Sequence, residues 1–170
     1  MWFEANRPAR YPLRSLAAVT THDLPTIAGM WSESDLRTQY ALGLAPDEAS
    51  TRAIRGRLQA MTAVAPDADR TEVVLRTHDL LATARSMLIT ATLEDALGVE
   101  ERPNLPGASS DHANWCRPLP KLLEEIEADP LPLAIGRTLA RRAPARGRRR
   151  GRGIRVVKKA APGDSASQTN

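Results

Sequence analysis

The sequence is poor in cysteine, in aromatic side chains and in long apolar runs. One cysteine, Cys116, cannot form an internal disulfide or a Cys-rich structural zinc site. A reducing compartment, and with it a cytoplasmic location, is the natural expectation. No apolar run approaches the ~20 residues that a membrane-spanning helix needs. Met1-Trp2-Phe3-Glu4-Ala5-Asn6 has no basic region leading into an apolar stretch, so it does not read as a secretory signal. Only six residues are aromatic, and none follows Trp115. Apolar residues still make up 42%, enough for a core, and 170 residues suggest one domain.

The charge is unevenly placed. The chain carries 24 basic and 20 acidic side chains, a formal +4. Residues 1–136 hold 13 basic and 19 acidic groups, a net of −6; residues 137–170 hold 11 basic and one acidic, a net of +10. The high pI therefore describes no single surface, and the acidic body and basic tail need separate readings.

Along the body, short strands alternate with helices. Leu16 to Thr20 reads as a strand, followed by a tight polar turn and then a helix through about Trp31, with Pro25 in its first turn. Ser34 is a candidate cap for a helix over Asp35–Leu42, and Gly43 ends it. Pro46-Asp47-Glu48 opens a helix to about Ala63. Asp69-Arg70-Thr71-Glu72 resembles a capping box ahead of a helical face formed by Val73, Thr77, Leu80, Leu81 and Ala84. A second strand is expected over Met87–Ala91, then a helical turn or two over Leu93–Leu97 closed by Gly98. After a loop-like stretch over 99–117, helices are expected over Lys121–Ala128 and from Leu131 to about Arg142. The stretch from Ala143 is low-complexity, rich in Arg and Gly, and reads as disordered. The alternation is that of βα units. Two parallel strands make no stable sheet alone, however, and a (β/α)8 barrel usually needs about 250 residues. The body reads as the end of something larger.

Thr20-Thr21-His22-Asp23-Leu24-Pro25-Thr26 falls where a strand ends and a helix begins. Catalytic groups of barrel enzymes sit at that end of the strands. A carboxylate there, beside an imidazole and near helix-terminal N–H groups, suits stabilisation of an oxocarbenium ion. In the plainer alternative, Asp23 caps the helix and His22 packs.

The residues taken together point further. Ser15-Leu16-Ala17-Ala18-Val19-Thr20-Thr21-His22-Asp23-Leu24-Pro25-Thr26-Ile27-Ala28-Gly29-Met30-Trp31 closely resembles the 4-alpha-glucanotransferase family (amylomaltase, or disproportionating enzyme). Leu93-Glu94-Asp95-Ala96-Leu97-Gly98, Asn104-Leu105-Pro106-Gly107 and His112-Ala113-Asn114-Trp115 follow in family order, and Met1-Trp2-Phe3-Glu4 resembles the family segment before the Thr-His-Asp strand. The resemblance covers roughly residues 1–128. It implies an α/β fold, the C-terminal part of an alpha-amylase-type (β/α)8 barrel, mostly helical as it stands, over residues 1–136, with 137–170 a basic tail. It implies transfer of an α-1,4-glucan segment to the 4-hydroxyl of glucose or another α-glucan by a retaining mechanism, with maltooligosaccharides as substrates and no organic cofactor. By motif match Asp23 is the transition-state-stabilising carboxylate, His22 hydrogen-bonds the same sugar and Asn104 lines the glucan site. The family's nucleophile and acid/base lie upstream of the Thr-His-Asp strand, and the 19 residues before Thr20 hold neither motif. The chain is therefore expected to be inactive alone, with an upstream fragment completing the barrel. Cys116 intervenes where the family's Asn-Trp segment continues with arginine.

Two motifs are set aside. Glu94-Asp95 superficially resembles the family's acid/base motif, but its position after the second strand places it in the later region. Thr77-His78-Asp79-Leu80 repeats the Thr-His-Asp string inside an amphipathic helix, where His78 reads as an edge-of-core histidine. The three histidines, spread along the chain, suggest no metal-ligand set. The tail offers the rival function: Arg146, Arg148, Arg149, Arg150, Arg152, Arg155, Lys158 and Lys159 can neutralise phosphates, giving non-specific, salt-sensitive nucleic-acid binding. It has no aromatic for base stacking.

Overall fold

A computed structural model of the chain describes residues 1, 4–108, 112 and 114–141. The expected disorder of the tail and its nucleic-acid binding fall on 142–170, outside the described residues. After a 3-10 turn at Pro8–Arg10, the elements run β1 (Leu16–Ala18), α1 (Ile27–Trp31), α2 (Ser34–Ala41), α3 (Glu48–Thr62), α4 (Arg70–Ala82), β2 (Leu88–Thr90), α5 (Leu93–Ala96), α6 (Leu123–Ala128) and α7 (Pro130–Ala140). The change of charge at residue 136 falls inside α7, so it does not mark the end of helical structure.

Both strands form where apolar runs predicted them, and they pair in parallel: Leu16 with Leu88, Ala17 with Ile89, Ala18 with Thr90. Parallel pairing needs a long crossover, which α1 to α4 supply. Side chains alternate across the sheet. Ala17 is buried and Ile89 packs against the core cluster, whereas Leu16 is 57% and Leu88 61% exposed. One face of the sheet is covered by helices, and the other is an open apolar surface.

The core lies under α4. Val73, Val74, Thr77, His78 and Leu81 are fully buried there, against Ile27 and Met30 of α1 and Leu58 of α3, while α7 contributes Ile135. His78 thus lies inside the core rather than at its edge. Helices α1, α3 and α7 all pack on α4. His78 Nδ1 lies 2.8 Å from the Val74 carbonyl, and burial lowers the pKa of the imidazole.

Helix ends follow the polar residues with three corrections. Asp47 caps α3, and Asp69 caps α4 by accepting from Glu72 N–H at 3.0 Å. Glu72 itself turns to Arg76 instead of closing a box. Ser34 is the first residue of α2 and not its cap; Glu33 holds the cap position at φ 62°. Pro25 precedes the cap of α1, and Thr26 is that cap, accepting from Gly29 N–H at 2.9 Å. Gly98 follows α5 at φ +65°, the left-handed conformation in which glycine ends helices.

Asp95 ties α5 to the start of α1. Only 1% exposed, it accepts from Ile27 N–H at 2.7 Å and from the Thr92 hydroxyl at 3.1 Å. Burial, the largest influence, pushes its carboxyl from 3.8 up to about 6. Between those values the folded chain holds a proton that the unfolded chain has released. Stability from this group is therefore present at low pH and falls as pH rises through that window, by on the order of 3 kcal/mol. Asp95→Asn keeps the acceptor for Ile27 and offers Thr92 a donor. Urea titrations at pH 4.5, 5.5 and 7 are expected to show the variant gaining on the wild type as pH rises. A difference between the two that is constant across pH would refute this.

Candidate active site

The site is built on the turn after β1. Leu24 N–H bonds to the Thr21 carbonyl at 3.1 Å, closing a turn that presents His22 and Asp23. Thr20 Oγ1 donates to the Pro25 carbonyl at 2.9 Å and pins the exit into α1. Asp23 caps nothing. The α1 donors near it are taken: Ile27 N–H by Asp95, Gly29 N–H by Thr26. Nor does His22 pack away; its side chain is 55% exposed and that of Asp23 47%.

Asn104 supplies the hydrogen bond expected from the helix terminus. Its Nδ2 donates to Asp23 Oδ1 at 2.6 Å, and its backbone N–H donates to the His22 carbonyl at 3.2 Å. The other carboxylate oxygen, Oδ2, lies 3.2 Å from His22 Nε2. All three residues named from the sequence therefore meet at one place, although Asn104 lies 81 residues from Asp23.

Sequence reasoning missed three contributors. Arg102 Nη1 donates to the Asp23 carbonyl at 2.8 Å, while Nε donates to Asp35 Oδ1 at 2.7 Å and Nη2 to Asp35 Oδ2. Asp35 stands 67 residues from Arg102, and no spacing rule connects them. Trp115, noted only as part of a motif, has its ring centroid 4.9 Å from that of His22 and is 64% exposed. Its φ of 61° is unusual for a bulky residue. Two contacts hold it there: Trp115 N–H bonds to the Pro103 carbonyl at 2.9 Å, and the Asn114 side chain bridges Leu105 N–H (2.8 Å) and the Leu105 carbonyl (3.3 Å).

A cleft of about 470 Å³ runs over the open sheet face beside the turn, bounded by Leu16, Ala18 and Thr90 below and by His22, Glu94, Trp115 and Arg117 above. Asp23 adjoins it through His22. Of the Glu94-Asp95 pair, Asp95 is a structural tie and Glu94 faces the cleft. Among the described residues no group of three His, Cys, Asp or Glu could hold a metal ion, and no helix is long and apolar enough to cross a membrane.

Comparisons with known proteins place the chain in a family. The family profile described as 4-alpha-glucanotransferase matches residues 1–124. A 4-alpha-glucanotransferase of Mycobacterium bovis is 35% identical over 156 residues, covering 76% of this chain. One of Haemophilus influenzae is 28% identical over 141 residues, covering 72%. The crystal structure of amylomaltase from Corynebacterium glutamicum superposes with a TM-score of 0.67 at 24% identity, over 81% of this chain and 24% of that one. The chain spans only 22% and 20% of the two relatives' lengths. With the family profile matching residues 1–124 of 170, the chain belongs to the 4-alpha-glucanotransferase family.

Proposed function

We propose that this chain contributes the transition-state-stabilising part of an α-1,4-glucan transfer site, within a (β/α)8 barrel whose nucleophile and acid/base come from polypeptide outside this sequence. The observation that carries the reading is the convergence of His22, Asp23 and Asn104 on one turn at the carboxyl end of β1, with both Asp23 oxygens engaged. Maltooligosaccharides are the substrates in this reading, and no organic cofactor takes part. The exposed Cys116 fits a reducing, cytoplasmic setting.

Each part has a physical role. Glycosyl transfer with retention passes through an oxocarbenium-like state flanked by two carboxyl groups about 5–5.5 Å apart. Asp23 is a third carboxylate. Asn104 fixes one of its oxygens, leaving the carboxylate oriented and about half exposed to grip sugar hydroxyls. Its negative charge then opposes the positive charge that develops on the ring. His22 adds a ring nitrogen at the same sugar, and the exposed indole of Trp115 offers an apolar face beside it. The open sheet face, with Leu16 and Leu88 exposed, is the surface that further barrel strands would cover.

The test joins the upstream part of the Mycobacterium bovis relative to this whole chain and measures glucose release from maltotriose. Turnover is expected from the joined protein and none from this chain alone. A folded chimera without turnover would overturn the reading, as would turnover by the isolated chain that survives repurification.

A further inference from the structure

We propose that Arg102 and Asp35 are positioning residues: a nearly buried, bidentate ion pair that holds the His22–Asp23 turn in register with Asn104. The proposal rests on the role given to Asp23 above, and it concerns residues outside every motif by which the family resemblance was read.

The geometry assigns each donor a job. Two guanidinium nitrogens face the two oxygens of Asp35, a fork geometry that fixes the guanidinium plane. The third nitrogen is then aimed at the Asp23 backbone carbonyl, 2.8 Å away. Side-chain exposure is 10% for Arg102 and 5% for Asp35. Gln39 Nε2, one turn along α2, donates to Asp35 Oδ2 at 2.8 Å and keeps that carboxylate from swinging away. The anchor is thus α2, a regular helix, and the cargo is the turn.

The chain direction completes the device. Pro103 biases Arg102 toward extended backbone, and the chain bends at Pro103 between Arg102 and Asn104 of one short segment. That segment grips the turn at three points: Arg102 on the Asp23 carbonyl, Asn104 N–H on the His22 carbonyl and Asn104 Nδ2 on the Asp23 carboxylate. The first two set the backbone and the third sets the side chain. A pair that only braced the core gains nothing from aiming a donor at a catalytic turn. Buried ion pairs are poor sources of stability next to apolar packing, which argues for a role in geometry.

The experiment uses the full chain with Arg102→Gln, Arg102→Lys and Asp35→Asn. Amide hydrogen exchange is followed at Asn104, whose N–H reports the grip on His22, and at Thr77, His78 and Leu81 in the core of α4. Exchange at Asn104 is expected to quicken about tenfold or more in Arg102→Gln, with the α4 amides unchanged. Arg102→Lys has one charged nitrogen for three acceptors and is expected to fall between. Asp35→Asn follows Arg102→Gln, and the double variant adds little to either, because both act through one contact. Unchanged exchange at Asn104, or loss of protection across α4 in both Arg102 variants, overturns the proposal. In the chimera, Arg102→Lys is expected to lower kcat about 10- to 100-fold with KM little changed. An unchanged kcat beside quickened Asn104 exchange removes the catalytic consequence. A wild-type chimera without turnover instead sinks the role of Asp23 and leaves the exchange result to judge the clamp.

Discussion

Asp23→Asn is expected to lower maltotriose disproportionation by the completed barrel on the order of 10³-fold, through kcat and with little change in KM. The substitution is close to isosteric. Asn at this position still presents an oxygen to Asn104 Nδ2, which now bonds Asp23 Oδ1 at 2.6 Å. The turn keeps its Thr21–Leu24 bond and the hold of Arg102 on the backbone carbonyl, neither of which involves the carboxylate. What disappears is the negative charge, and with it the attraction to a ring that becomes cationic only near the transition state. An interaction made only there appears in kcat. Because the side chain is about half exposed, thermal stability of the variant is expected to match the wild type. Activity retained within tenfold of wild type would show that Asp23 does no electrostatic work.

Gly29→Ala is expected to destabilise the chain by about 3 kcal/mol or more, beyond the usual range for an added methyl group. Gly29 lies inside α1, where alanine ordinarily improves on glycine by roughly 1 kcal/mol. Here a Cβ would stand 2.1 Å from the Glu100 carbonyl oxygen. The obstacle is backbone, held by the Thr26 hydroxyl at 3.0 Å, so it cannot rotate aside. Relief would push the 99–104 segment away from α1, and Arg102 and Asn104 with it. Gly56 in α3 is the control: it is exposed and a Cβ there meets nothing within 4 Å. Gly56→Ala is expected to stabilise by about 0.5–1 kcal/mol. Urea denaturation of the two variants should give shifts of opposite sign. Shifts of the same sign would mean that α1 and the 99–104 segment are not locked together.

Much of this was legible because it is local. Asp47 and Asp69 begin their helices by capping nearby N–H groups, and the apolar runs at 16–20 and 87–91 contain the two strands. Ser34 misled for an instructive reason. Its neighbour Asp35 is drawn onto Arg102, and the chain enters α2 through Glu33 in the left-handed region. A cap preference worth about 1 kcal/mol yields to a contact of that kind. His78 was misplaced because one helix face cannot reveal that α7, some 50 residues later, packs against α4.

The sequence by itself determined the family, the two strands and most helix starts, and it named His22, Asp23 and Asn104, since motif order and capping chemistry are written in consecutive residues. Tertiary structure alone decided that Asn104, not the start of α1, binds the Asp23 carboxylate, that Asp95 is a buried tie, and that Arg102 and Asp35 hold the turn. Each of those depends on segments 67 to 81 residues apart. Such meetings are set by how helices pack over a short parallel sheet, and no local pattern of residues encodes them.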